Sequence, residues 1–125
     1  MKRTIAGLAL CLIMAAPAQA APGDMSVATF VTKVDALKAK GLAAMFSSDV
    51  KLLQSEGQAA GVAYFQRLKA ERAAGRPSSC PPQGVKVSSD AVITHMKSYA
   101  PHLRSGTNLR TAMADFFIKS YPCRK

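Results

Sequence analysis

The sequence has few of the side chains on which acid–base catalysis and metal binding depend. It contains only 7 Asp and Glu, 2 His and 3 Cys among 125 residues, and it has no Trp. The carboxylates show no spacing that suggests a catalytic pair. His95 and His102 stand on either side of Pro101 with no carboxylate at ligand spacing, which argues against a metal site. We therefore expect no catalytic residue, no metal and no cofactor, and we predict that the chain is not an enzyme.

Long hydrophobic runs are missing as well, except for one near the N-terminus. Two basic residues precede an apolar stretch at 5–16, and Ala18-Gln19-Ala20 follows it as a small-x-small cleavage signal. The stretch is shorter than the ~20 residues that span a bilayer. We predict that 1–20 is a cleaved signal peptide and that 21–125 is one domain without a stable membrane anchor. A lipoprotein signal at Cys11 is less favoured, because the residue before it is not small.

Two cysteines remain after this cleavage, Cys80 and Cys123. An even pair in an exported protein indicates a disulfide, and the expected compartment is the periplasm. The bond would close a loop of 44 residues, counted from Cys80 to Cys123 inclusive. Such a loop stabilises the fold by about 4 kcal/mol through the entropy of the unfolded chain. A reactive thiol of Cys80 beside His95 or His102 is the rival interpretation, and it is less favoured because it requires a free thiolate.

The charge of the chain is strongly positive. Without Lys2 and Arg3 the chain keeps 15 Lys and Arg against 7 Asp and Glu, a net charge of +8. In a cytoplasmic protein this balance would favour nucleic acid, but export argues against that partner. The remaining anionic partners are membrane headgroups, peptidoglycan carboxylates or an acidic protein face. General solubility is the simpler explanation of the same charge.

Apolar residues recur at helical spacing in four segments, and no segment shows the alternation of a strand. Gly57 and Gly61 share one face of the second helix, where each costs ~1 kcal/mol relative to Ala. The pair therefore predicts the close approach of another helix. Phe46 and Leu103 are assigned to the apolar faces of the second and third helices.

We predict an all-α, four-helix domain with one intramolecular disulfide. The first helix covers about 26–40, and the second runs from a cap at Ser47 or Ser48 to Gly75. The third begins at 88 or 89 and is ended or kinked by Pro101, and the fourth begins after 107 and ends at Pro122.

Basic side chains gather around the predicted turn between the last two helices. They are Lys97, His102, Arg104 and Arg110. One interpretation is a cationic, pH-sensitive surface for a protein partner. Scattered solvated charges are the alternative interpretation, since exposed charges contribute little on their own.

Two motifs around the cysteines carry a family resemblance. Cys80-Pro81-Pro82-Gln83-Gly84-Val85 is followed by two helices joined by a Pro-containing turn, and then by Tyr121-Pro122-Cys123. This pattern resembles the Rap1a/Tai immunity proteins of type VI secretion. A weaker likeness extends to 55–62, where Ser55 and Gln58 stand in place of a cysteine and an aromatic residue of the family.

The resemblance implies a small exported helical domain that binds a secreted peptidoglycan amidase and covers its active-site cleft. We therefore predict a periplasmic immunity-type binding protein, with loop 76–87 and turn 100–107 as the first candidates for contact. Whether it forms a homodimer stays open. The alternatives are a periplasmic stress chaperone of the HdeA type and an envelope-binding protein. The scarcity of carboxylates weighs against an acid-triggered chaperone.

Overall fold

Helices make up nearly all of the regular structure. A computed structural model describes residues 21–124, so the predicted signal peptide and the alternative at Cys11 lie outside the described residues. Four long helices, and no strand within 21–124, confirm the all-α prediction, and the short α4 is an addition to it. None of the helices in this range is long and apolar enough to cross a membrane. The elements are α1 (Val27–Lys40), a 3₁₀ segment (Gly41–Phe46), α2 (Ser48–Ala73), α3 (Ser89–Ser98), α4 (Pro101–Arg104) and α5 (Leu109–Ser120).

Side chains cap the N-termini of all four long helices. In each case a Ser or Asn oxygen accepts a hydrogen bond from an amide two or three residues further on, which satisfies a donor that the helix itself leaves free. Gly41 ends α1 with φ 59°, a left-handed conformation that glycine adopts without strain. The four caps are Ser26, Ser47, Ser88 and Asn108.

The core lies where α2 packs against α5 and α1 packs against α3. Phe117 is at its centre. The ring of Tyr64 stacks on Phe117 with 5.2 Å between centroids, and the ring of Phe65 meets Phe117 edge-on at 4.9 Å. Offset and edge-on pairs of this kind add to the stabilisation that comes from burial alone. The core therefore joins the middle of α2 to the end of α5.

Gly57 and Gly61 do not provide the close helix contact that the sequence predicts. A Cβ atom placed on either residue would find no heavy atom of its surroundings within 4 Å. The prediction is wrong because this face of α2 borders open space and not a neighbouring helix. The two glycines border an open apolar groove that residues of α1, α2, α3, α5 and the loop before α3 line.

Two residues assigned to the core are exposed instead. Phe46 is 93% exposed and Leu103 is 50% exposed. Ser47 caps α2, so Phe46 lies outside that helix and in the 3₁₀ segment. Pro101 opens α4, at a position where its missing amide hydrogen costs nothing. Leu103 therefore lies on a new helix and is not on the apolar face of α3.

Candidate functional site

A disulfide joins Cys80, in the long loop between α2 and α3, to Cys123 beyond the end of α5. The two Cα atoms are 4.9 Å apart, and the amide of Cys80 donates to the carbonyl oxygen of Tyr121 at 2.7 Å. The predicted pairing is confirmed. We call residues 74–88 the clamped loop, because this bond fastens the middle of the loop to the C-terminal segment.

A buried hydroxyl cluster fastens the same loop to α2. Ser79 is fully buried, and its hydroxyl shares a hydrogen bond with the hydroxyl of Tyr64. The hydroxyl of Ser78 lies 2.9 Å from the same Tyr64 oxygen. A buried hydroxyl without a partner costs about 1–3 kcal/mol, so these bonds hold the loop in one place.

Glu71 provides a third attachment. Its carboxylate accepts hydrogen bonds from the amide of Ser78 at 2.8 Å and from Nε of Arg67 at 2.6 Å. Hydrogen bonds from the side chain and the backbone of Ser78, together with that from Arg67, lower the pKa of Glu71 to about 2. The carboxylate therefore stays ionised, and the start of the loop stays attached to the last turns of α2, over most of the pH range.

The tip of the clamped loop is exposed although both of its flanks are fixed. Pro82, Gln83 and Gly84 face solvent. The amide of Val85 donates to the carbonyl of Pro82 at 3.2 Å, and Gly84 has φ 72°, which closes a tight turn. Pro81 is buried and Val85 packs against the core on either side of this turn. The tip is therefore a projecting surface with a defined conformation.

Most of the basic side chains singled out from the sequence take part in contacts within the chain. The Nζ atom of Lys97 lies 2.7 Å from a carboxylate oxygen of Asp35, and this hydrogen bond lowers the pKa of Asp35. Arg104 donates to the carbonyl oxygens of Tyr99 at 3.0 Å and of Lys97 at 2.8 Å, which satisfies the C-terminal end of α3. His102 is exposed on α4.

Arg110 contacts the N-terminal part of the described chain. It donates to the carbonyl oxygen of Pro22 at 2.9 Å, and its Nε lies 3.3 Å from the carboxylate of Asp24. Three of the four predicted residues thus have intramolecular partners. Their binding to another protein stays a prediction.

His95 is the second histidine of the described chain, and its ring lies between α3 and α5. Its Nε2 lies 2.9 Å from the carbonyl oxygen of Ala112, and burial lowers its pKa. The hydroxyl of Tyr99 donates to the carboxylate of Asp115 at 2.6 Å. The pKa of Tyr99 is raised, mainly by burial and to a lesser extent by this hydrogen bond. Because a carbonyl oxygen only accepts, Nε2 donates this hydrogen bond to Ala112, and the ring bridges α3 and α5.

Sequence reasoning missed the residues that attach the clamped loop to α2. Helical spacing places Tyr64 on the apolar face of α2, and no pattern in the sequence marks Glu71 or Ser78 as attachment residues. The sequence contains only a weak signal for them, a pair of serines directly before Cys80 in a loop rich in Pro and Gly. Short hydroxyl side chains often form hydrogen bonds with polar groups in loops, but the spacing of residues in the sequence does not show which group a given hydroxyl binds.

Among the described residues, the tip of the clamped loop and the exposed 3₁₀ segment are surfaces suited to contact with another molecule. Within 21–124, no three His, Cys, Asp or Glu side chains come together as a metal-binding group.

No family model, curated protein or solved structure matches this chain. The resemblance to the Rap1a/Tai proteins therefore stays a prediction.

Proposed function

We propose that this chain is a periplasmic immunity-type protein that binds a peptidoglycan amidase and occludes its active-site cleft. The observation that carries the proposal is the clamped loop, which is fastened at three places and still exposes its tip. The disulfide agrees with an oxidising compartment. The periplasm and the amidase are the specific parts of the proposal, and they rest on the sequence motifs.

The conformation of the loop suits the inhibition of an enzyme. A loop that is ordered before binding loses little conformational entropy on association, so more of the contact energy appears as affinity. The tip Pro82-Gln83-Gly84 has no charged side chain, and its insertion into a cleft would therefore leave no buried charge unpaired.

The charges around the tip indicate the kind of enzyme surface it would meet. Arg72, Arg76 and Lys86 are all exposed on or beside the clamped loop. An acidic rim around the cleft would attract this surface and speed the encounter. The affinity of the complex should accordingly decrease as the salt concentration rises.

The test uses the purified mature chain and a panel of peptidoglycan amidases delivered by type VI secretion. Release of muropeptides from peptidoglycan is measured by chromatography with and without the chain, and survival is measured when both proteins are exported to the periplasm of one cell. We expect inhibition of at least one amidase and rescue of growth by its co-expression. The absence of inhibition across the panel would contradict the proposal.

Variants of the loop tip test the proposed mode of binding. Pro82→Ala combined with Gln83→Ala changes exposed side chains only, so the fold should persist while inhibition weakens by roughly tenfold or more. Gln66→Ala, at an exposed position of α2, is the matched control and should inhibit like the unmodified chain. Equal inhibition by all three proteins would exclude the tip as the inserting element.

A further inference from the structure

The 3₁₀ segment between α1 and α2 is unusually apolar for an exposed part of the chain. Leu42, Met45 and Phe46 are 85%, 76% and 93% exposed, and the segment contains no charged residue. Single exposed apolar residues are ordinary, but three large ones within five positions form a patch, and such patches mark contact with a protein or a membrane. We call these three residues the apolar tip.

The apolar tip projects from the end of a pair of helices. The segment that carries it joins the end of α1 to the start of α2 and packs against both. Gly41, with φ 59°, turns the chain out of α1, and Ser47 caps α2 on the other side. The tip is therefore a convex surface whose two ends are fixed, and only the surface of something larger can cover it.

Three lysines flank the apolar tip on both sides. Lys38 and Lys40 lie in the last turn of α1, and Lys51 lies near the start of α2. All three are exposed, and within residues 21–124 none of them takes part in a salt bridge. Their ammonium groups are therefore available to an anionic surface that meets the tip.

The carboxylates closest to the tip in the sequence are already paired with other lysines. A carboxylate oxygen of Asp49 lies 3.1 Å from Nζ of Lys33, and one of Asp35 lies 2.7 Å from Nζ of Lys97. These pairs are partly exposed and add little to stability, but they balance the negative charges of this region. The surroundings of the tip are thus left with a net positive charge.

We propose that the apolar tip docks the protein reversibly on an anionic phospholipid bilayer. The three apolar side chains enter the boundary between headgroups and acyl chains, where binding grows with the apolar area buried and with attraction to anionic lipids. The flanking lysines bury their aliphatic stems beside the tip and direct their ammonium groups to the lipid phosphates. A fluid bilayer covers a convex patch without the matched shape that a protein interface requires.

The apolar tip and the clamped loop lie near opposite ends of α2. The helix has 26 residues and is therefore about 39 Å long. The tip precedes its first turn, whereas the exposed end of the clamped loop lies beside Arg72 in its last turn. A docked molecule thus keeps the clamped loop clear of the lipid contact. The inference goes beyond the proposed function and does not depend on it.

Vesicle sedimentation with the purified mature chain tests the inference. The vesicles contain phosphatidylglycerol and phosphatidylethanolamine in varied proportion, and vesicles of phosphatidylcholine are the neutral comparison. We expect binding that strengthens with the content of phosphatidylglycerol, weakens as salt rises and is at least about tenfold weaker on neutral vesicles. No binding to the anionic vesicles, or equal binding to the neutral ones, would overturn the inference.

A variant of the apolar tip tests the inserted side chains. Leu42→Ser combined with Phe46→Ser changes exposed residues only, and it should weaken binding to anionic vesicles by roughly tenfold or more. Val62→Ser, at an apolar position of α2 that is 56% exposed, is the matched control and should bind like the unmodified chain. Circular dichroism checks that each variant is folded. Undiminished binding by the folded double variant would contradict the insertion of the tip.

A second pair of variants separates the flanking lysines from the overall charge. Lys38→Gln combined with Lys40→Gln should weaken binding about thirtyfold, since each lysine near an anionic surface contributes a factor of about five. Lys69→Gln combined with Lys119→Gln removes the same charge from exposed positions elsewhere and should have a much smaller effect. Equal losses in the two variants would show that the net charge alone attracts the chain, which would overturn the proposed site.

Fluorescence locates the contact directly, because the chain contains no Trp. Phe46→Trp places a single indole in the apolar tip, and its emission should shift to shorter wavelength and be quenched by brominated lipid in anionic vesicles. Gln66→Trp is the control, 18 residues beyond the start of α2 and so about 27 Å along the helix. An indole of Phe46→Trp that stays solvated on bound vesicles would overturn the inference, and it is the result expected if the tip binds a protein instead.

Discussion

Glu71 is the single residue whose ionisation most directly affects the clamped loop. Its carboxylate receives hydrogen bonds from Ser78 and Arg67, and these lower its pKa from 4.5 to about 2. Because the folded state binds this proton less readily than the unfolded chain, the stabilisation is complete above about pH 4.5. It is lost as the pH falls from there towards 2.

We expect Glu71→Gln to lower the melting temperature at neutral pH and to reduce the loss of stability between pH 4.5 and 2. The side chain of Gln keeps an oxygen that can accept the hydrogen bond from the amide of Ser78, but it carries no charge. The variant therefore measures what the charge of Glu71 contributes to stability. Thermal unfolding as a function of pH measures the effect. Asp35→Asn is the control, and it should have little effect because the Asp35–Lys97 pair is largely exposed.

Identical pH profiles for the unmodified chain and Glu71→Gln would show that Glu71 does not hold the loop. The same profile also bears on the HdeA-type alternative. A chaperone that is activated at moderately acid pH must lose structure there, whereas the pKa of Glu71 keeps this attachment intact until lower pH.

Among the elements, α2 shows what local sequence signals can and cannot predict. Ser47 caps α2, and a serine before a helical apolar pattern predicts such a cap because capping depends only on neighbouring residues. Phe46 was misplaced because its spacing from Val50 and Leu53 fits a helical face, although it lies before the cap. The groove beside Gly57 and Gly61 could not be predicted, since it depends on the path that α1 takes in space.

The open space beside the two glycines leads to a prediction about α2. Gly57→Ala and Gly61→Ala should each raise the free energy of unfolding by up to about 1 kcal/mol, because Ala is the better helix former and nothing crowds its Cβ. Urea denaturation measures the change. Gly23→Ala is the contrasting variant and should destabilise, since Gly23 has φ 93° and its Cβ would lie 3.1 Å from Arg110.

A loss of stability in Gly57→Ala or Gly61→Ala would indicate that a helix does approach this face, as the sequence first suggested. The attachments of the clamped loop were beyond sequence reasoning for a similar reason. Tyr64 and Ser79 are 15 residues apart, and only the fold brings their hydroxyl groups together. The candidate site could thus be located from the cysteines, but the contacts that order it could not.

For the whole molecule, the disulfide adds a covalent link between the clamped loop and the segment that follows α5. The aromatic packing around Phe117 connects α2 to α5, whereas Cys80 and Cys123 connect the clamped loop to the C-terminal segment. Loss of the bond should therefore loosen the loop and lower stability while the helices persist.

We expect Cys80→Ser combined with Cys123→Ser to lower the free energy of unfolding by about 2–5 kcal/mol. Hydrogen exchange of the amides in 80–87 should become faster, while the exchange of α2 and α5 changes less. The unmodified mature chain with reductant should behave like the double variant. An unchanged stability and an unchanged exchange rate would show that the other attachments suffice to order the loop.

The position of the two cysteines has a consequence for what happens when a protease cuts the chain. The bond encloses α3, α4 and α5 within one covalent ring, and the turn that follows α4, at Ser105 and Gly106, is an exposed part of that ring. A single cut in this turn would open the ring without releasing a fragment. Both pieces would stay tethered, and the aromatic contacts between α2 and α5 would keep them in register, so a nicked molecule could still present an ordered loop.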